Sequence, residues 1–255
     1  MAVNVVPLGF VLNAEFRDTA AMRLVGVIAL LWLGSCSASP VNEAAKSQAK
    51  KAPVVGASSS INKRFHNPAL NVDRWTKRFE GESREAYRTR TQIVGVLGIK
   101  PGQVVADVGA GTGLFVRYLS DAVGQEGRVI AVEISPAFVK HINQRVAQAG
   151  IENVKAQLGG TKDVKLGASS VDLIFLCDTY HHFEDTAAIL ATMRRALKPG
   201  GRLAIVDYHR IEGKTRPFLM KHVRAGKDVF AAEITKAGFT RLPDPPAPFL
   251  VENYL

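Results

Sequence analysis

The stretch Val104-Val105-Ala106-Asp107-Val108-Gly109-Ala110-Gly111-Thr112-Gly113-Leu114-Phe115 constrains this chain more than any other. An apolar, partly β-branched run ends near an acid and passes into a turn of small residues. The run reads as a short strand buried on both faces, as in the interior of a parallel sheet. The turn reads as the tight crossover from that strand into a helix, because glycine takes up left-handed backbone that other residues resist. A turn without side chains lets a bulky group come close, and the next helix offers unpaired N–H groups to it. The spacing is G-x-G-x-G, with Leu114 where a dinucleotide fingerprint has its third glycine, so a nicotinamide dinucleotide is disfavoured.

The rest of the chain fits one α/β domain. Apolar runs suited to strands recur at Arg128–Ile134, Asn153–Leu158, Val171–Cys177 and Arg202–Tyr208, with a last one at Phe249–Leu255. Between them lie segments with helical spacing: Leu114 to Val123, Pro136 to Gln148, and Asp185 to Leu197. Ser135 and Pro136 mark a helix start, and Gly150 marks its end. Alternation of this kind predicts a doubly wound, mostly parallel sheet with helices on both faces. Ligands of such sheets bind beyond the carboxyl ends of the strands, where the strand order reverses. That rim collects the glycine turn, Glu133, the segment Asp178–His182 and Asp207.

The N-terminal part has a different character. Arg23 precedes ten apolar or small residues, Leu24 to Leu33, too few to span a bilayer as a helix. Gly34 and Ser35 then lead to Cys36. Residues 1–36 read as an export signal, and Leu33-Gly34-Ser35-Cys36 resembles the lipobox of bacterial lipoproteins, which implies a lipid anchor on Cys36. Residues 37–60 are rich in Ser, Ala and Lys and read as a flexible tether, leaving residues 61–255 as the folded domain. The expected location is the bacterial periplasm on a membrane, or the cytoplasm if the signal is not used. The other cysteine, Cys177, reads as a buried thiol in a strand. The net charge of +10 is spread along the chain and forms no basic block, which speaks for a solvated surface rather than a nucleic-acid site.

Three motifs in order, "VVADVGAGTGLF", "VIAVEIS" and "ALKPGGRLAIVDY", resemble those of the class I S-adenosylmethionine-dependent methyltransferases. The resemblance implies a Rossmann-like, doubly wound seven-stranded sheet with its last strand antiparallel. It implies S-adenosylmethionine as cofactor. By position, Asp107 would sit near the amino-acid end of the cofactor, Gly109, Ala110, Gly111 and Gly113 would line the loop beneath it, Glu133 would hold the ribose, and Ile134 would pack on adenine. Relatives often carry an acid after the third strand; here Gly160 stands in its place, so Thr161 or a backbone group takes over adenine, with Asp163 as a nearby acid. Arg88 is a candidate partner for the methionine carboxylate.

The candidates for chemistry lie in "DTYHHF". Asp178, His181 and His182 follow the fourth strand, and either imidazole suits proton transfer near neutral pH. Asp178, His181, His182 and His209 are the right ligand types for a metal, but neighbouring histidines in one loop usually diverge, so none is expected. No Asn/Asp-Pro-Pro-Tyr tetrapeptide follows the fourth strand, which argues against a base-flipping nucleic-acid enzyme. The expected acceptor is a small molecule. A second reading, a binding protein of the same fold without turnover, is kept open by Gly160 and by export away from the cytoplasm.

Overall fold

The computed structural model describes residues 57–58 and 61–255. The signal, the lipobox cysteine and nearly all of the tether lie outside the described residues. Six strands form one sheet in the order β3-β2-β1-β4-β5-β6. They are β1 (Val104–Val108), β2 (Arg128–Glu133), β3 (Val154–Leu158), β4 (Val171–Cys177), β5 (Leu197–Tyr208) and β6 (Asn253–Tyr254). The first five run parallel, and β6 pairs antiparallel with β5 through Asp207 with Tyr254 and Tyr208 with Asn253. The strand order reverses between β1 and β4, so their carboxyl ends open the crevice in which such sheets bind ligands.

The mostly parallel sheet with its antiparallel end is as expected, but among the described residues there are six strands and not seven. The physical reason lies between the last helix and β6, where Pro243, Pro245, Pro246 and Pro248 each lack the N–H that a ladder needs.

Eight helices accompany the strands among the described residues: α1 (Val72–Phe79), α2 (Glu85–Arg88), α3 (Arg90–Val96), α4 (Val116–Val123), α5 (Pro136–Gln148), α6 (Thr186–Ala196), α7 (Pro217–His222) and α8 (Lys227–Lys236). Alternate residues of the central strands feed two cores. Val105, Ala131 and Phe175 face Ile93 of α3, Leu119 of α4 and Ile142 of α5. Ala106, Val132 and Ile174 face Ile189 and Met193 of α6 and Phe230 of α8. Cys177 is buried, and burial raises its thiol pKa first of all, which fits a structural role.

Two carboxylates tie the crevice to the frame. Glu85, nearly fully buried, accepts the N–H groups of Val251, Glu252 and Asn253, and so fixes the approach to β6. Asp185 caps α6 by accepting the N–H of Ala188. No described helix is long and apolar enough to cross a membrane.

Candidate functional site

A cavity of about 390 Å3 opens at the carboxyl ends of β1, β2, β4 and β5. Its size is in the range of small-molecule sites. Asp107 and Glu133 form one wall. Asp107 sits in β1 beside Ala131 of β2 and Phe175 of β4 and is 2% exposed. Its Oδ2 is buried and has no hydrogen-bond partner. Burial, and then the neighbouring charge of Glu133, push Asp107 up to about 7. Glu133 ends β2. Its Oε1 accepts the N–H groups of Ile134 (2.8 Å) and Ser135 (3.0 Å), and its Oε2 accepts that of Gly111 (2.8 Å). Burial raises its pKa, and those three backbone donors oppose the rise. The carboxylate therefore fastens the glycine turn to the start of α5 and keeps one acceptor position for a ligand. The Oγ of Ser135, at the N-cap of α5, makes no capping bond.

Gly109, Gly111 and Gly113 all have positive φ (75°, 57° and 84°), as the turn reading requires. At Gly109 the expected reason for bareness, room for a ligand, needs correction. A Cβ on Gly109 would lie 2.3 Å from Cγ2 of Thr179, just past β4, so the missing side chain makes room for protein. A Cβ on Gly113 would press Ile142 of α5 at 3.0 Å. Gly113 does not line the cavity, whereas Gly109, Ala110 and Gly111 do. Ile134, Gly160 and Thr161 line it as well. Asp163 does not. It is half exposed, accepts the N–H of Lys165 and faces Arg195 at 3.7 Å, because its loop turns it away from the sheet.

Two further expectations are overturned. Arg88 is absent from the cavity wall and donates to the carbonyl of Glu82. Arg78, Arg84 and Arg216 do line the cavity, and Arg84, one helical turn before Arg88, is the one that pairs with Asp178. Its guanidinium donates to Asp178 Oδ2 through Nε (3.0 Å) and Nη2 (2.7 Å). Asp178 Oδ1 accepts from Asn253 Nδ2 at 2.6 Å. With both oxygens engaged, Asp178 braces the crevice and is not a free base. His209, also outside the cavity, packs on Tyr254 with ring centroids 5.3 Å apart.

His181 and His182 do line the cavity, and they converge instead of diverging, with ring centroids 4.4 Å apart. His222, at the end of α7, joins them at 5.0 and 5.1 Å. His181 Nδ1 lies 2.8 Å from Asp207 Oδ1. Burial, then the neighbouring His181, lowers His182 to about 2, and the same two causes lower His222 to about 4. His182 is therefore a weak proton acceptor, contrary to its expected role as a base. Above the imidazoles, Phe65, Phe79 and Phe138 form an aromatic wall, with centroids 6.1 Å apart for Phe65 and Phe138 and 6.3 Å for Phe79 and Phe138. Sequence reasoning missed Arg84, His222 and this wall. The only signal for the wall was helical spacing, which describes ordinary packing equally well.

Comparison with known proteins agrees with this geometry. Residues 105–201 match the family model described as Methyltransferase domain. A ubiquinone/menaquinone biosynthesis C-methyltransferase of Marinomonas sp. is 27% identical over 166 residues, 65% of each chain. An arsenite methyltransferase of Halobacterium salinarum is 30% identical over 107 residues, 42% of this chain and 27% of that one. A solved S-adenosylmethionine-dependent methyltransferase of Aquifex aeolicus superposes with a TM-score of 0.59 at 27% identity, covering 65% of this chain and 87% of that one. Fold, crevice and comparisons agree on a Rossmann-like sheet of the class I methyltransferase type. They support S-adenosylmethionine as the cofactor. The chain spans 48 to 65% of the length of the C-methyltransferases it matches in Marinomonas and Hydrogenovibrio crunogenus.

The residues present fit that cofactor. A buried carboxylate oxygen without a partner suits an ammonium group, and a carboxylate with a spare acceptor position suits a ribose hydroxyl.

Proposed function

We propose that the protein transfers a methyl group from S-adenosylmethionine to a small acceptor held at the imidazole end of the cavity. When bound, the cofactor supplies a methyl group on a sulfonium sulfur, already activated for displacement. The chain's task is therefore alignment and exclusion of water. Asp107 takes the ammonium group, and its burial next to Glu133 makes a cation the natural relief of that corner. Glu133 accepts from the ribose while it still holds the glycine turn. Ile134 packs on the adenine, and Thr161 offers a hydroxyl where Gly160 supplies no acid. The aromatic wall of Phe65, Phe79 and Phe138 excludes water. The unpartnered Oδ2 of Asp107 carries this reading.

Calorimetric titration with S-adenosylmethionine and S-adenosylhomocysteine, followed by transfer of labelled methyl to small-molecule extracts, tests it. Saturable binding of both, weakened in Asp107→Ala, is expected. Failure of the wild-type chain to bind either would remove the reading. The Leu33-Gly34-Ser35-Cys36 segment supports a further part of the proposal, export with lipid attached at Cys36. Labelled palmitate would then enter the wild type and not Cys36→Ser.

A further inference from the structure

We propose that His181, His182 and His222 bind a divalent cation of the zinc class, whose open position faces the cavity and takes the oxygen or sulfur of the methyl acceptor. Cation binding stands on the imidazoles alone. The acceptor's part rests on the methyltransferase reading above.

Each of the three residues brings one ligand atom, and these atoms lie within 4.8 Å of one another. All three line the same cavity. Three imidazoles with a vacant fourth position make a donor set suited to zinc. Bonds of about 2.0–2.1 Å would draw the nitrogens to about 3.4 Å. His222 is the ring best placed to close that gap. It ends the six-residue α7 and is held there by a stack on Phe218, centroids 5.4 Å apart.

The hydrogen bonds behind the rings set the tautomers. Asp207 Oδ2 accepts the N–H of His181, and Oδ1 accepts that of Tyr208. The carboxylate thus acts as acceptor on both oxygens, and His181 Nδ1 must donate to it. In the neutral ring the lone pair of His181 then falls on Nε2. That atom is buried in a residue 1% exposed and has no partner. A buried polar atom in this condition costs stability unless something meets it. Asn62 does the same for His182. Its Nδ2 donates to the carbonyl of His182 (2.9 Å) and to Glu184 Oε1 (3.0 Å), which leaves Oδ1 to face His182 Nδ1 at 3.2 Å. Nδ1 therefore carries the proton, and Nε2 carries the lone pair. A carboxylate and an amide behind two ligating imidazoles are the outer partners that metal-bound histidines ordinarily have. Simple core packing gives no account of three imidazoles gathered in tilted and edge-on contact with a buried nitrogen unmet.

In the reaction, the cation lowers the pKa of the acceptor's O–H or S–H, and that proton leaves to solvent. The lone pair on oxygen or sulfur forms the new bond to the methyl carbon. The carbon–sulfur pair stays on the departing sulfur, which becomes a neutral thioether. No protein base is needed, which agrees with the pairing of Asp178 to Arg84.

The test uses the full chain, stripped of metal and titrated with Zn2+ and, in parallel, with Co2+. One equivalent of each is expected, with the visible absorption of four-coordinate nitrogen-ligated cobalt. His222→Ala and His222→Gln should weaken Zn2+ at least 100-fold, and Asp207→Asn should weaken it 10- to 100-fold. His209→Ala should leave it unchanged. Absence of stoichiometric binding, or equal binding in both His222 variants, would overturn the proposal. If the variants do not fold, the wild-type cobalt spectrum decides, and a six-coordinate oxygen-type spectrum overturns it. Cofactor titration is read separately. Lost metal with intact cofactor binding removes this inference alone, and lost cofactor binding with intact metal removes the proposed function and the acceptor's part while cation binding stands.

Discussion

Asp107 makes the site sensitive to pH in a direction that can be worked out beforehand. Burial and Glu133 push its carboxyl up to about 7 in the folded chain, against 3.8 for a freely solvated aspartate. The folded state therefore binds the proton more tightly than the unfolded state. Below about pH 4 both states are protonated and the group costs nothing. As pH rises toward about 7 the unfolded chain ionises first, and stability falls by ~1.4 kcal/mol per pH step. The full cost, reached above about 7, is on the order of 4 kcal/mol. Asp107→Asn removes the titration. The difference in urea-unfolding free energy between variant and wild type should thus widen between pH 5 and 7 and then level off. An ammonium group set against Asp107 needs the ionised carboxyl, so cofactor affinity runs the other way. The dissociation constant should be roughly 30-fold weaker at pH 5.5 than at pH 8 in the wild type, and flat in Asp107→Asn. Calorimetry at both pH values reads this directly. A wild-type affinity independent of pH, or an Asn variant with the same slope, would refute the placement of the ammonium group.

Other substitutions probe the frame around the crevice. Glu85→Ala leaves three N–H groups near β6 without their acceptor and should cost about 3 kcal/mol or more by chemical denaturation. Asp178→Ala strands the Arg84 guanidinium in a largely buried place and should cost about 3–5 kcal/mol; a change below about 1 kcal/mol would mean that the pair is solvated. Gly109→Ala meets both positive φ and the side chain of Thr179, so it should lower the melting temperature, and Gly109→Ala with Thr179→Ser should recover part of the loss through the removed methyl group.

The sheet was legible because its evidence is local. β1, β2 and β4 are apolar runs bounded by glycine or polar turns, and α5 announces itself with Ser135-Pro136 and Gly150. The missing seventh strand was legible in principle, as four prolines between Pro243 and Pro248 speak against a ladder there; the family pattern outweighed them. Arg84 and Arg88 could not be told apart, because α2 has only four residues and gives no phase for choosing the inward face. The partner that settles the choice, Asp178, lies 94 residues away. His222 is hidden for the same reason. It ends a short helix 40 positions beyond His182, and only the return of α7 over the cavity brings it to the other two rings.

The parts of this site that break the rules of stable packing are the parts that a ligand would mend. Glu133 is buried yet satisfied by three backbone donors, so it can stay charged at modest cost. Asp107 is buried beside it, has an oxygen with no donor, and feels its charge. His181 is fastened on one nitrogen and unmet on the other. Selection for stability alone would replace Asp107 with Asn or Val, and would gain from the change. The two unmet atoms lie along one cavity, at opposite roles in the proposed reaction: an anionic corner that awaits a cationic cofactor, and a nitrogen lone pair that awaits an electrophile. A stability gain in Asp107→Asn together with a loss of cofactor affinity would identify that corner as retained for binding. A gain without such a loss would mark it as an uncompensated defect of the fold.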